Sequence, residues 1–246
     1  LVGFDQKESE RNIIMQRYNK IREKNVREIL LLKSLPCVFG KCTFCNYILD
    51  NSTDLDEIDR VNTEVLASID GEFGVVEIIN SGSVFELPRS TLEAIRDKVD
   101  EHKVHTLYFE VYYGYHKRLS EMREFFPNQE IRYCIGIETF DDNFRKKVLH
   151  KAFSTKNIAD FSEKFYACNF LICIEGQTRE GILKDISIAR DNFKAMVINV
   201  FVNNITPVKR DEALVEWLLS EVYPDIKDEK QMDILIDNKD FGVYVQ

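Results

Sequence analysis

No apolar run in the chain approaches the roughly 20 residues that a helix needs to cross a bilayer, so no membrane partner is expected. Basic residues are outnumbered. Lys and Arg total 33 against 42 Asp and Glu, a net charge of −9, which argues against broad attraction to nucleic acid or an anionic membrane surface. With five prolines and ten glycines in 246 residues there is no Pro/Gly/Ser linker, and no repeat or low-complexity segment stands out. A single domain over 1–246 is the expectation. No glycine-rich dinucleotide fingerprint follows the first strand-like segment, which removes support for a Rossmann reading. The opening stretch LVGFDQKESERN has no initiator Met and no basic region ahead of an apolar one, so a secretory signal is not expected. No Ser-His-Asp order or evident acid–base pair is present.

Cysteine is sparse, yet unevenly placed. Six are too few for a dense disulfide framework. Cys134, Cys168 and Cys173 lie in strand-like apolar runs and read as core. The other three, Cys37, Cys42 and Cys45, occupy nine positions of LPCVFGKCTFCNY with no fourth nearby. Structural zinc takes four protein ligands, so zinc would have to borrow His102, His105, His116, His150 or a distant Cys. Iron–sulfur clusters take thiolates by preference. A cubane held by three leaves one iron free for a substrate or cofactor. Metal-bound thiolates in a reducing, cytoplasmic setting are therefore expected; three unpaired cysteines grouped by local packing are the bland alternative.

The chain alternates. Residues 6–25 read as a polar helix with a thin apolar stripe, Ile13, Ile14, Tyr18 and Ile21. Strands are expected in EILLLKSLPC, VVEIIN (75–80), HTLYFEVYY (105–113), IRYCIGIET (131–139), NFLICIEG (169–176) and AMVINVFVNNI (195–205), with helices between them. A last helix, DEALVEWLLSEVY, precedes DILID and FGVYV, which could pair across a short turn within a 208–246 extension. Six strands joined by helices imply parallel pairing. The fold class is α/β, a partial (β/α)6 TIM-like barrel over about 28–207. The cysteine loop then falls at the C-terminal end of the first strand, where such sheets keep their sites.

CVFGKCTFC resembles the cluster loop of the radical S-adenosylmethionine (SAM) superfamily, with C-x4-C-x2-C in place of the usual C-x3-C-x2-C. That resemblance implies a 4Fe–4S cluster on Cys37, Cys42 and Cys45, with SAM at the open iron. It places Phe44 beside the adenine; otherwise Phe44 simply packs the loop. NSGSVFE (80–86) stands where the family has a Gly-rich stretch meeting the methionyl amino group, which implicates Ser81, Gly82 and Ser83. No acid follows the glycine directly, as in the branch of the Elongator catalytic subunit and oxygen-independent coproporphyrinogen oxidase. In that branch EVYYGY (110–115) aligns with the Glu-Thr-Arg-Pro motif, making Glu110 the carboxylate for the SAM amino group and putting Tyr112 in the place of Arg.

GIETFDDNFRKKVLHKAF (136–153) resembles the branch's next motif, so Glu138 would face the ribose hydroxyls. Lys151 would pair with the methionyl carboxylate, although strict spacing points at His150. LICIEGQTRE (171–180) is similar to the adenine-lining segment, ending in Gly176. Structural ion pairing is the alternative for both carboxylates. Glu77, opposite Val76 and Ile78, reads as structural or as part of a helix-facing rim.

The resemblance implies one-electron cleavage of SAM and hydrogen abstraction by the resulting deoxyadenosyl radical, fed by a donor such as flavodoxin or ferredoxin. Tyr112, Tyr113, Tyr115 and His116 would suit a planar heterocycle, or pack a helix. NNITPVKRDE puts Thr206 and Pro207 at an expected helix start, with Lys209 and Arg210 as a phosphate or carboxylate seat, or as a solvated face. As a whole the compact chain resembles the queuosine-salvage lyases, with a nucleoside or its 5′-phosphate as the small-molecule substrate. A tRNA-modifying relative would need a basic face or an RNA-binding extension. A non-enzymatic zinc or cluster module would need a fourth protein ligand.

Overall fold

The computed structural model describes residues 17–151 and 153–237. Its backbone is one eight-stranded sheet in sequential order: β1 Tyr18–Ile21, β2 Arg27–Leu32, β3 Val75–Asn80, β4 Thr106–Glu110, β5 Glu130–Glu138, β6 Ala167–Ile172, β7 Ala195–Val200 and β8 Met232–Leu235. β1 is antiparallel to β2, and every later pairing is parallel. The sheet curls into a half-barrel. Its helices are α1 Leu55–Leu66, α2 Arg89–Glu101, α3 Leu119–Phe125, α4 Asp142–Lys147, α5 Ile158–Ser162, α6 Arg179–Asn192 and α7 Glu212–Trp217, the last continuing through a π turn to Ile226.

The six expected strands are β2 to β7, and alternation explains them. Leu30, Leu32, Val76, Ile78, Leu107, Phe109, Ile135, Phe170 and Ile198 are buried in one core with Val65, Ile95, Val99, Ile186 and Ala189 of the helices. The other face carries Ile29, Leu31 and Ile79 in a small separate cluster, and polar groups on Glu77, Glu110 and Asn169. Local caps agree: Asp54 accepts from Asp56 N and Glu57 N at α1, and Asp141 from Asn143 N and Phe144 N at α4.

One expectation needs correction. The N-terminal helix does not extend to residue 25. Its first part lies outside the described residues, and Tyr18–Ile21 is an edge strand whose Tyr18 hydroxyl donates to Glu28. In the C-terminal extension Met232–Leu235 joins β7 in parallel, as a strand after a helical crossover does. The FGVYV segment expected to pair with DILID lies outside the described residues. Of the two readings of Glu77 the structural one holds: it sits opposite the core residues Val76 and Ile78 and pairs with Arg27 at 2.5 Å. Arg27 also reaches Asp233 of β8 at 3.0 Å, so side chains span the two ends of the curl.

Candidate active site

β2 ends in the cysteine loop. Thr43 N donates to Leu149 O at 3.2 Å and Thr43 Oγ1 to Val148 O at 2.5 Å, tying this loop to the one after β5. Asn204 Nδ2 donates to Phe44 O at 3.1 Å, tying it to the segment after β7. All three thiols are free and half-buried. Burial pushes Cys42 up to about 12, with Lys151 pulling the other way and Glu138, Cys45 and Cys37 adding to the rise. Burial raises Cys45 too, but the amides of Tyr47 and Ile48 and the Lys151 ammonium oppose it.

Those opposing groups stabilise a thiolate once something cationic draws it out. Among the described residues, no three Cys, His, Asp or Glu side chains close around one ion. Three thiols, with two backbone amides placed to hydrogen-bond to the Cys45 sulfur, suit an iron–sulfur cluster better than zinc, which takes four protein ligands.

The neighbouring strand ends converge on the loop. A Cβ on Gly82 would lie 3.3 Å from Cys37 Cβ, so the turn after β3 lies directly against the first cysteine. Ser81 is buried, its hydroxyl bonded to Asn51 and 3.1 Å from Ser34 Oγ. The Ser83 amide donates to Glu86, whose other oxygen accepts from Val38 N at 3.2 Å. Burial raises Glu86 despite those bonds and the Tyr115 phenol beside it. Buried Asn80 Oδ1 and Asn169 Oδ1 have no partner among the described residues. An orphaned buried acceptor at a strand end is what a ligand site leaves.

Glu110 accepts from Asn169 Nδ2 at 2.6 Å. Burial, then the nearby Glu77 and Glu138 charges, push its carboxyl up to about 7. Glu138 ends β5 at a register shift with φ +66°, a left-handed conformation rare for a side-chain-bearing residue. Its Oε1 meets Lys151 Nζ at 2.7 Å. Burial pulls the Lys151 pKa down, but Glu138, Cys42 and Glu110 outweigh it and the net shift is upward, so the ammonium stays charged. Lys151 Nζ is also 6.0 Å from the Phe44 ring centre. His150 is exposed beside it, so of the two candidates the geometry brings Lys151 to the site. Gly176 has φ +91° and faces Phe144 in the small cluster that also packs Phe44 and Leu171.

The substrate candidates separate. Tyr112 stacks on Phe39 of the cysteine loop, ring centres 5.2 Å apart. His116 instead stacks on Tyr113 at 4.5 Å, and Tyr113 on Phe161, so this imidazole is taken up in aromatic packing. The expected helix start at Thr206–Pro207 is corrected: α7 begins at Glu212 with Asp211 as its cap. Residues 209–211 instead pair back onto Cys173–Glu175 through backbone bonds. Lys209 is exposed; Arg210 meets Glu212 at 3.4 Å and Asp237 at 3.8 Å. A carboxylate already holds the helix end where a phosphate was expected.

The sequence reading missed Gly136, Glu86 and Asn169. A Cβ on Gly136 would lie 2.6 Å from both Glu138 Oε1 and Lys151 Nζ. Glu86 had a signal, since Ser83-Val-Phe-Glu86 has the spacing of a capping box. Asn169, a polar residue inside an apolar strand, was the signal for itself.

No protein-family model matches the chain, and no curated protein does. Among solved structures it is similar to the queuine lyase from Clostridium spiroforme bound to SAM and queuine, with 46% identity, a TM-score of 0.88, and coverage of 93% of this chain and 98% of that one. Likeness at that level over nearly the whole chain makes the molecule a radical SAM enzyme. Within that class, the chain belongs to the queuine lyase family.

Proposed function

We propose that this protein binds a 4Fe–4S cluster on Cys37, Cys42 and Cys45, binds SAM beside it, and releases queuine from queuosine or its 5′-phosphate. The observation that carries the reading is the 46% identical structure bound to SAM and queuine. The site supports it independently, because cysteine loop, amide-lined turn, carboxylates and one ammonium meet at the C-terminal strand ends. Cluster and SAM, when bound, supply the one-electron bond cleavage and the hydrogen abstraction; the chain supplies position and exclusion of water.

Each residue has a job that suits its chemistry. Glu110 offers a carboxylate to the SAM ammonium. Glu138, acceptor-only when ionised, suits ribose hydroxyls, and Lys151 suits the methionyl carboxylate. In the ligand-free protein those two opposite charges neutralise each other; SAM would enter between groups already paired and oriented. Ser81, Gly82 and Ser83 line the turn near the amino group, Phe44 and Gly176 lie along the adenine, and Tyr112 stands at the substrate side of the cysteine loop. A small electron-transfer protein, flavodoxin or ferredoxin, is the reductant.

The test is product analysis. Anaerobically reconstituted protein, given SAM, dithionite and queuosine or its 5′-phosphate, is expected to yield queuine and 5′-deoxyadenosine. Deoxyadenosine without queuine from either substrate would reject the substrate while leaving the cofactor reading in place.

A further inference from the structure

Three strand-end loops meet on one carboxylate that the roles above leave unused. Glu86 Oε1 accepts from the amide of Val38, the residue after Cys37, at 3.2 Å. Its Oε2 accepts from the amide of Ser83. The Tyr115 phenol, from the loop after β4, lies beside the same carboxylate and interacts with it. Glu86 is 5% exposed, and its own carbonyl accepts from Leu35 N at 3.1 Å as β2 runs into the cysteine loop. The contact is made possible by Gly82, because a Cβ there would stand 2.7 Å from Glu86 Oε2. Its two oxygens thus accept from an amide of the cysteine loop and an amide of its own turn, bonds that are charge-assisted when the carboxylate is ionised.

We propose that Glu86 is the positioning residue that sets the spacing between the cysteine loop and the Ser81–Ser83 turn, and so between the cluster and SAM. This rests on the cofactor reading above. Glu86 touches neither group in that reading. It acts through Val38, which fixes the loop next to Cys37, and through Ser83, which fixes the turn that receives the methionyl amino group. Tyr115 holds the carboxylate from the third side; its ring in turn packs on Phe85 at 4.9 Å, under the Arg118 guanidinium.

The experiment compares wild type, Glu86→Asp, Glu86→Gln and Glu86→Ala, first without cofactors and then after reconstitution. Amide hydrogen exchange in the cofactor-free protein should speed up at Val38 and Ser83, about tenfold or more in Glu86→Ala, the scale of losing a charge-assisted bond. Iron content should stay at the wild-type level, because the thiols are untouched. SAM should bind about tenfold or more weakly, with a diminished SAM-induced change in the EPR spectrum. Glu86→Asp should recover part of both, and Glu86→Gln, which keeps one acceptor oxygen, should fall between Asp and Ala.

Unchanged exchange at both amides in Glu86→Ala would overturn the proposal. So would faster exchange with SAM affinity intact, which would make Glu86 merely structural. If the Glu86 variants fail to fold, Tyr115→Phe carries the test: the same shifts in smaller measure are expected, and none would overturn it. Wild-type protein that takes up no iron and binds no SAM would instead sink the cofactor reading, a result distinct from either.

Discussion

Gly136 lacks a side chain because its neighbours need the space. The Glu138–Lys151 pair closes over it, with both charged atoms 2.6 Å from where a Cβ would stand. Gly136→Ala is therefore expected to separate the pair and weaken SAM binding about tenfold or more, read by equilibrium titration. Glu138→Gln leaves an ammonium facing a mostly dry site. It should destabilise the ligand-free protein by about 2 kcal/mol, below the cost of a fully buried widow because the bowl admits some water. Adding Lys151→Met should recover part of that loss, and a double-mutant cycle in denaturant checks it. Simple additivity of the two would count against a coupled pair.

Glu110 carries the pH dependence. Its folded-state carboxyl titrates near 7, above the ordinary carboxylate range. Between the unfolded and folded values, the unfolded chain releases this proton while the folded one keeps it. This group's stabilising effect is thus complete below the unfolded value and fades as pH rises to about 7. Glu110→Gln should flatten that part of the stability profile. SAM affinity should move the opposite way, rising from pH 6 to 8 as the carboxylate forms, and a titration series at fixed ionic strength reads it.

At the scale of elements, the loop from β5 through α4 to Lys151 depends on Arg145. This guanidinium is fully buried and donates to Thr139 O, Phe153 O at 2.9 Å and Asp142. Removing it strands two carbonyls, while Asp142 keeps its bonds from Ser154 and Thr155. Arg145→Met is expected to cost about 3 kcal/mol or more in denaturant unfolding. A loss within 0.5 kcal/mol would mean the loop is held by other contacts.

Element identity was legible wherever one face of a strand meets helices. Leu30 and Leu32, Val76 and Ile78, and Leu107 and Phe109 alternate into a common core, and period-two burial leaves that trace in the sequence. Legibility failed where partners are distant. Tyr18–Ile21 is four residues long and gains its strand character from pairing with β2, so its apolar spacing could pass for a helix stripe. Pro207 suggested a helix start, yet Asp211 supplies the cap and residues 209–211 bond back to the β6 loop. Only tertiary contact makes that choice.

For the whole molecule, the candidate site was more legible than its edges. Cys37, Cys42, Cys45, Gly82, Glu138, Lys151 and Tyr112 all reach the cysteine-loop end of the sheet, because motifs at successive parallel strand ends must share one rim. What resemblance did not carry were the supports, Glu86, Gly136 and Asn169, whose meaning depends on side chains of other strands and loops meeting them in space. The far end of the curl has its own closure, with Arg27 joining Glu77 to Asp233 across β2, β3 and β8. That ion-pair network lies close enough to the candidate site for the Glu77 charge to help raise Glu110.

The central claim is that three thiolates hold a cluster whose remaining iron is open to SAM. EPR of the reduced, anaerobically reconstituted protein with and without SAM tests it most directly. The account predicts a 4Fe–4S signal that changes on SAM addition and disappears when Cys37, Cys42 or Cys45 is replaced by Ala. A signal indifferent to SAM, or one that survives loss of any of these cysteines, would contradict it.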